Sequence, residues 1–199
     1  MNPRKLMAVA LCAAACATTT AFAEDDFGIE SASPIVIADP VNPQPGMILS
    51  GYKAPMYPTK NWFKESVTSL PKSPAIKTAV DTSESFSLTA LGATESNAGM
   101  WSGFLKCKRA GVYTLTITVK HGNDRYALRV NGKPAIVYGR GQSSADVLLK
   151  PGWNKVELVC RQNRQSTLDM SYKPKESLSD ARPLTPAMMF YDKKPEAAW

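Results

Sequence analysis

Gly111-Val-Tyr-Thr-Leu-Thr-Ile-Thr-Val119 puts Tyr113, Leu115, Ile117 and Val119 on one side of an extended chain and Thr114, Thr116 and Thr118 on the other. This is a strand with one face in a core and one in water, and the same rhythm runs outward through Trp101 to Cys160. Before it, Trp101, Gly103, Leu105 and Cys107 form the inward set of a strand. After it, Arg125-Tyr-Ala-Leu-Arg-Val130 turns Tyr126, Leu128 and Val130 inward, and Asn131-Gly132 leads into Ala135-Ile-Val-Tyr138. Asn-Gly between two such runs predicts a hairpin, because a type I′ turn needs positive φ at both central residues. Val147 and Leu149 mark a further strand, Pro151-Gly152 a turn, and Val156 to Cys160 and Leu168 to Tyr172 the last two. Upstream, Phe86, Leu88 and Ala90 alternate with Ser85, Ser87 and Thr89 and predict a first strand. Short strands with turns about every 8 to 12 residues predict an all-β fold, a two-sheet antiparallel β-sandwich of jelly-roll-like form, and not βαβ units.

Around that centre the chain divides by proline. Eight prolines lie between Pro34 and Pro74, only Pro134 and Pro151 fall in the centre, and Pro174, Pro183, Pro186 and Pro195 follow it. The expected organisation is a leader over 1–23, a Pro-rich amino-terminal arm with short strands over 24–82, the sandwich over 83–172 and a tail over 173–199. The leader combines Arg4 and Lys5 with an apolar run from Leu6 to Ala17, and Ala21-Phe-Ala23 then precedes Glu24-Asp-Asp26. That pattern is a secretory signal peptide, and its apolar run is shorter than the roughly 20 residues a spanning helix needs. Cys16 after Ala13-Ala-Ala15 makes a poor lipoprotein box, because the usual Leu is missing. The expected product is exported to periplasm, cell surface or exterior, with no transmembrane segment.

The arms are not plain linkers. Ile35-Val-Ile37, Met47-Ile-Leu49 and the cluster Tyr52, Tyr57, Trp62 and Phe63 want burial, as do Met188-Met-Phe-Tyr191 and Trp199. They either wrap the central domain as edge strands and loops or dock on another chain. No internal repeat and no long amphipathic helix is evident.

Cys107 and Cys160 remain after the leader and lie on the apolar sides of their strands. In an oxidising compartment they predict one buried inter-strand bridge, the alternative being two free buried thiols. The chain has 24 Lys+Arg and 17 Asp+Glu; with Arg4 and Lys5 in the leader, the exported part keeps 22 basic against 17 acidic residues, a net +5. The basic residues are scattered, without stripe or aromatic-interleaved motif, which argues against nucleic acid and suits a solvated surface or acidic glycans.

The ordered series Trp101-Ser-Gly-Phe-Leu, Ala110-Gly-Val-Tyr-Thr-Leu, Asn123-Asp-Arg-Tyr-Ala-Leu-Arg-Val-Asn-Gly-Lys133 and Leu149-Lys-Pro-Gly-Trp-Asn-Lys-Val-Glu-Leu158 resembles the amino-terminal module of anthrax protective antigen. That family also occurs in yeast flocculins, fungal lectin-like adhesins and inserts in glycoside hydrolases. The resemblance implies a sandwich that often binds carbohydrate and sometimes only mediates assembly. In its lectin-like members adjacent aspartates before the hairpin hold a calcium ion that touches sugar hydroxyls. The matching residues here are Asn123 and Asp124, so a calcium site would lack one carboxylate; the alternative is an ordinary loop turn.

Catalysis has little support. His121 is the only histidine and sits between a strand and a Gly-Asn-Asp turn, where an exposed loop residue is expected. One His and two cysteines do not suit zinc. Asp81, Glu84, Asp124, Asp146 and Glu157 read as surface or loop-end carboxylates, where a raised pKa is hard to arrange. Sugar recognition would use an aromatic face with planar polar groups, and the candidates are Asn123, Asp124, Arg125, Tyr138, Arg140 and Gln142. Trp101 and Trp153 read as packing residues, and Gly139-Arg-Gly-Gln-Ser-Ser144 as a flexible inter-strand turn. The expected role is a non-catalytic recognition module for a glycan or cell-surface component. The competing role is a subunit of an envelope, pilus or secretion assembly that docks through its arms.

Overall fold

A computed structural model describes residues 37–162 and 166–193. The predicted leader, Cys16, Ile35-Val36 and Trp199 lie outside the described residues. Two antiparallel sheets face each other. The strands are β1 (Pro43–Pro45), β2 (Met47–Tyr52), β3 (Lys77–Asp81), β4 (Ala98–Cys107), β5 (Gly111–Val119), β6 (Arg125–Val130), β7 (Lys133–Gly139), β8 (Gln142–Leu149), β9 (Gly152–Arg161), β10 (Leu168–Pro174), β11 (Arg182–Leu184) and β12 (Phe190–Asp192). The larger sheet runs β1-β12-β4-β9-β6-β7, with β2 pairing both β4 and β3; the smaller runs β11-β10-β5-β8. The fold is an all-β sandwich, as the strand rhythm predicts.

The core between the layers is built from the predicted inward sets. Leu115, Ile117, Tyr126, Leu128, Leu149, Val156, Leu158, Leu168 and Trp101 are all at most 1% exposed. Tyr126 ties the layers together, since its hydroxyl donates to Ile117 O in the opposite sheet at 3.1 Å. Burial pushes its phenol pKa up. The Asn131-Gly132 hairpin forms with positive φ at both residues, 49° and 76°.

The described parts of both arms belong to the sandwich. β2 adds to β4 over Ile48 to Tyr52, and β1 pairs β12, so amino- and carboxy-terminal segments zip together along one edge. Met47, Leu49 and Met189 are 0% exposed. The apolar segments of the described arms thus bury in their own molecule, and a boundary at Ser83 does not separate them from the sheets. Pro residues within strands sit where the ladder tolerates them, on the edge strands β1, β7 and β11 and at the last position of β10.

A helix that the sequence reading lacks, α1 (Lys60–Ser69), covers the outer face of the larger sheet. Thr59 caps it, its hydroxyl accepting from Trp62 N at 3.2 Å. Phe63, 0% exposed, packs there with Tyr52, Ala54, Met100, Ala127 and Val159 in a second, smaller core. The end of β9 is therefore covered on both faces, with Val156, Leu158 and Cys160 in the main core and Val159 under the helix.

Four further expectations change. Ser85 to Ala90 is not a strand; only Phe86 bridges Leu168, and Leu88–Leu91 is a short 3₁₀ turn capped by the Ser87 hydroxyl. The Cys107 to Cys160 bridge is ruled out by register: Cys107 pairs with Gly152 and Cys160 with Gly99, at opposite ends of the β4/β9 ladder. Eight residues of β4 separate the two levels, about 26 Å against the 7 Å limit of a disulfide. Both thiols are free. Asp81, Asp124 and Glu157 are not surface carboxylates but 1%, 0% and 6% exposed. Finally, Trp101 is core, whereas Trp153 is half-buried on the outer face, edge-on to Phe104 and Phe190 with Lys106 Nζ 5.0 Å above its ring.

Candidate functional site

The loop joining β5 to β6 sets one wall of a hollow at the end of the sandwich. It turns tightly: Asp124 N donates to His121 O at 3.0 Å, and Asn123 N to His121 Nδ1 at 3.3 Å. The turn sends its side chains in different directions. Asn123 stays exposed, whereas the Asp124 carboxylate points inward and accepts from the buried Ser166 hydroxyl. His121 is exposed, with Nδ1 3.9 Å from Asp124 Oδ1.

Arg125 begins β6 on its outer face and holds the loop to the sheet. Its Nη1 donates to Gly122 O at 2.8 Å and to Asp124 O at 2.7 Å, and its Nε to Tyr138 Oη at 3.0 Å. Tyr138, on β7, is braced from behind by Phe63 of α1, edge-on at 5.5 Å between ring centroids. It still leaves 38% of its surface to solvent. The chain between β2 and α1 supplies the opposite wall with Met56 and Tyr57, 70% and 85% exposed. Arg161, at the end of β9, lies directly across the ladder from Arg125. These residues, with Asn123, line a cavity of about 220 Å³. A more open hollow of about 570 Å³ adjoins it, sharing Asn123 and Arg161 and reaching Glu95, Asn97 and His121.

Of the predicted ligand residues, Asn123, Arg125 and Tyr138 meet here. Asp124 supports the loop from inside, and Arg140 and Gln142 fall outside the lining. The reason is topological: after Gly139 the chain leaves the larger sheet, and Gln142 begins β8 in the smaller one, opposite Thr118. Tyr57 and Arg161 are the functional candidates that sequence reading missed. Tyr57 belongs to an aromatic cluster that calls for burial, and its exposure follows only from the turn between Ala54 and Thr59. Arg161 follows a buried run and carries no pattern of its own.

The residues present do not fit a calcium ion. Calcium takes six to eight oxygens with several carboxylates. Here one candidate donor is an exposed amide, while the other is an inward carboxylate already bonded to Ser166. Among the described residues no group of three or more His, Cys, Asp or Glu side chains is placed to hold a metal.

No protein-family profile matches the chain, and no curated protein does. Solved structures do. The PA14 domain of the antifreeze protein MpAFP is 14% identical, with a TM-score of 0.54 over 80% of this chain and 98% of that one. The PA14 sugar-binding domain from an RTX adhesin is 13% identical, with a TM-score of 0.51 over 75% and 99%. The Epithelial Adhesin 6 A domain from Candida glabrata, in complex with Galβ1-3GlcNAc, is 14% identical, with a TM-score of 0.51 over 81% and 92%. At this identity the likeness is one of fold: the chain has the PA14-type β-sandwich, which is as far as the resemblance read from the sequence extends.

Proposed function

We propose that this protein is a non-catalytic, exported carbohydrate-binding or adhesion module that takes its glycan in the hollow between Tyr57 and Tyr138. The observation that carries this reading is the pairing of two exposed tyrosine rings with the planar polar groups of Asn123, Arg125 and Arg161. Sugar rings stack their apolar faces on aromatic rings, and planar side chains match the spacing of their hydroxyls. Two of the PA14-fold neighbours are described as sugar-binding or are held in complex with a glycan, which supports the same class of ligand. Among the described residues no helix is long and apolar enough to cross a membrane. Export rests on the leader pattern of residues 1–23.

No catalytic role is assigned: among the described residues the cavity between Tyr57 and Tyr138 is lined by no carboxylate, histidine, serine or cysteine. The reading as an envelope, pilus or secretion subunit is less favoured in the described part of the arms, where Met47, Leu49 and Met189 are buried in this chain's own core. A glycan array probed with the purified chain, with and without EDTA, tests the proposal. Binding that survives the chelator supports it, and an array without any retained glycan overturns it.

A further inference from the structure

Arg125 and Arg161 stand directly opposite each other on β6 and β9. Like charges in that relation repel across about 5 Å of ladder, so the pair destabilises the sheet unless something neutralises it. Arg125 is tethered by Tyr138 Oη and two loop carbonyls, all uncharged acceptors. Arg161 is different: its Nε is buried and, among the described residues, has no hydrogen-bond partner.

The acids nearby are committed elsewhere. Asp124 points into the interior and bonds Ser166. Glu95 pairs with Lys53 at 3.4 Å. Glu157, on the same face of β9, pairs with Lys155 at 3.0 Å and faces Arg129 at 3.9 Å. Among the described residues, the walls of the cavity that joins Tyr57, Tyr138 and the two arginines include no carboxylate.

From this we infer that the ligand of the hollow is anionic: a carboxylate-bearing sugar whose acid group sits at Arg161, with its ring against Tyr138 and Tyr57. The inference rests on the carbohydrate reading above and narrows it. A guanidinium presents planar, paired donors that match a carboxylate, and it does so without metal. On this reading the Arg161 guanidinium, and not a calcium ion, supplies the positive charge at the site. The net excess of basic residues over the chain points the same way.

The test uses the full exported chain and two matched glycan pairs: 3′-sialyllactose with lactose, and trigalacturonate with its methyl ester. Calorimetry or biolayer interferometry should show at least one acidic member binding at least about tenfold more tightly than its neutral partner. EDTA should not change that, and the preference should weaken as salt rises from about 50 mM to about 500 mM. Arg161→Gln should abolish the preference without lowering the melting temperature, because it removes the charge that repels Arg125 across the ladder. If neutral members bind as well as acidic ones, or Arg161→Gln keeps the preference, the inference is overturned. Neutral binding that Tyr138→Ala removes would leave the carbohydrate reading standing while sinking this one. If no member of either pair binds, the inference is also overturned, and the array above decides the broader reading separately.

Discussion

The indole Nε1 of Trp101 donates to Asp81 Oδ2 at 2.7 Å, joining two residues that are 0% and 1% exposed. The other carboxylate oxygen of Asp81 accepts from Ser83 N at 2.9 Å and Ser83 Oγ at 2.6 Å. One side chain at the end of β3 thus satisfies the largest core residue of β4 and the turn that follows. Asp81→Ala leaves the indole N–H buried without an acceptor, which costs about 1–3 kcal/mol, and releases the Ser83 turn as well. We expect about 3 kcal/mol in urea unfolding and a fall in melting temperature of roughly 6–12 °C. A loss below about 0.5 kcal/mol would mean that water replaces the carboxylate.

Asp124 behaves as a buried support rather than a ligand contact. Ser166→Ala removes a hydrogen bond to a carboxylate and should cost about 1.5–3 kcal/mol. Asp124→Ala should cost at least as much, and any loss of ligand affinity in that variant should follow from a loosened loop. Urea midpoints unchanged in both variants would contradict this placement.

The two thiols should behave as independent groups. Burial raises the Cys160 thiol pKa well above its ordinary value, and the negative charge of Asp124 adds to the shift. Half-buried Cys107 is raised by burial alone. In the native chain iodoacetamide at pH 8 should modify Cys107 slowly and leave Cys160 intact, while both react in urea. Melting should be identical with and without reductant. The folded chain keeps the Cys160 proton that the unfolded chain loses above about pH 8.5, so this contribution to stability is fully present below that pH and is lost as pH climbs from there through the raised folded value. A melting temperature lowered by reductant would restore the bridge that register rules out.

Gly139 pairs with Tyr126 across the β6/β7 hairpin, and a Cβ there would overlap the tyrosine ring. Tyr126 is fully buried and joins the two sheets, so it has nowhere to move. Gly139→Ala should therefore destabilise the fold by several kcal/mol, on the scale of an overpacked core, and circular dichroism melting would register it. An alanine variant as stable as the parent would show that the ring has room.

How far the sequence could be read depends on how each residue's environment is determined. The strands β4 to β10 are written in local alternation, so Tyr113 to Val119 and Tyr126 to Val130 reveal which face is buried without knowledge of their partners. Register is not local. Cys107 and Cys160 each lie on an apolar face, yet whether they meet depends on the β4/β9 alignment, which separates them by the length of the ladder. Asp81 looks like a surface acid until Trp101 is known to end beside it. The helix α1 is only ten residues long and packs through Phe63 and Ser66, too short a run for helical periodicity to stand out. At the site, Asn123, Arg125 and Tyr138 are legible because they flank the hairpin itself. Tyr57 and Arg161 come from distant segments that only the fold brings to the same hollow.

The central claim is that the hollow between Tyr57 and Tyr138 holds a sugar, and Tyr57 offers the cleanest probe because it is 85% exposed and supports nothing in the core. Equilibrium binding of glycan-array hits should be compared for the parent, Tyr57→Ala and Tyr138→Ala, with melting temperatures measured in parallel. A stacked ring is worth about 1 kcal/mol, so each substitution should weaken binding by about fivefold or more, with melting unchanged in Tyr57→Ala. Glycans bound equally by the parent and both variants would place the ligand elsewhere on the molecule and contradict the account.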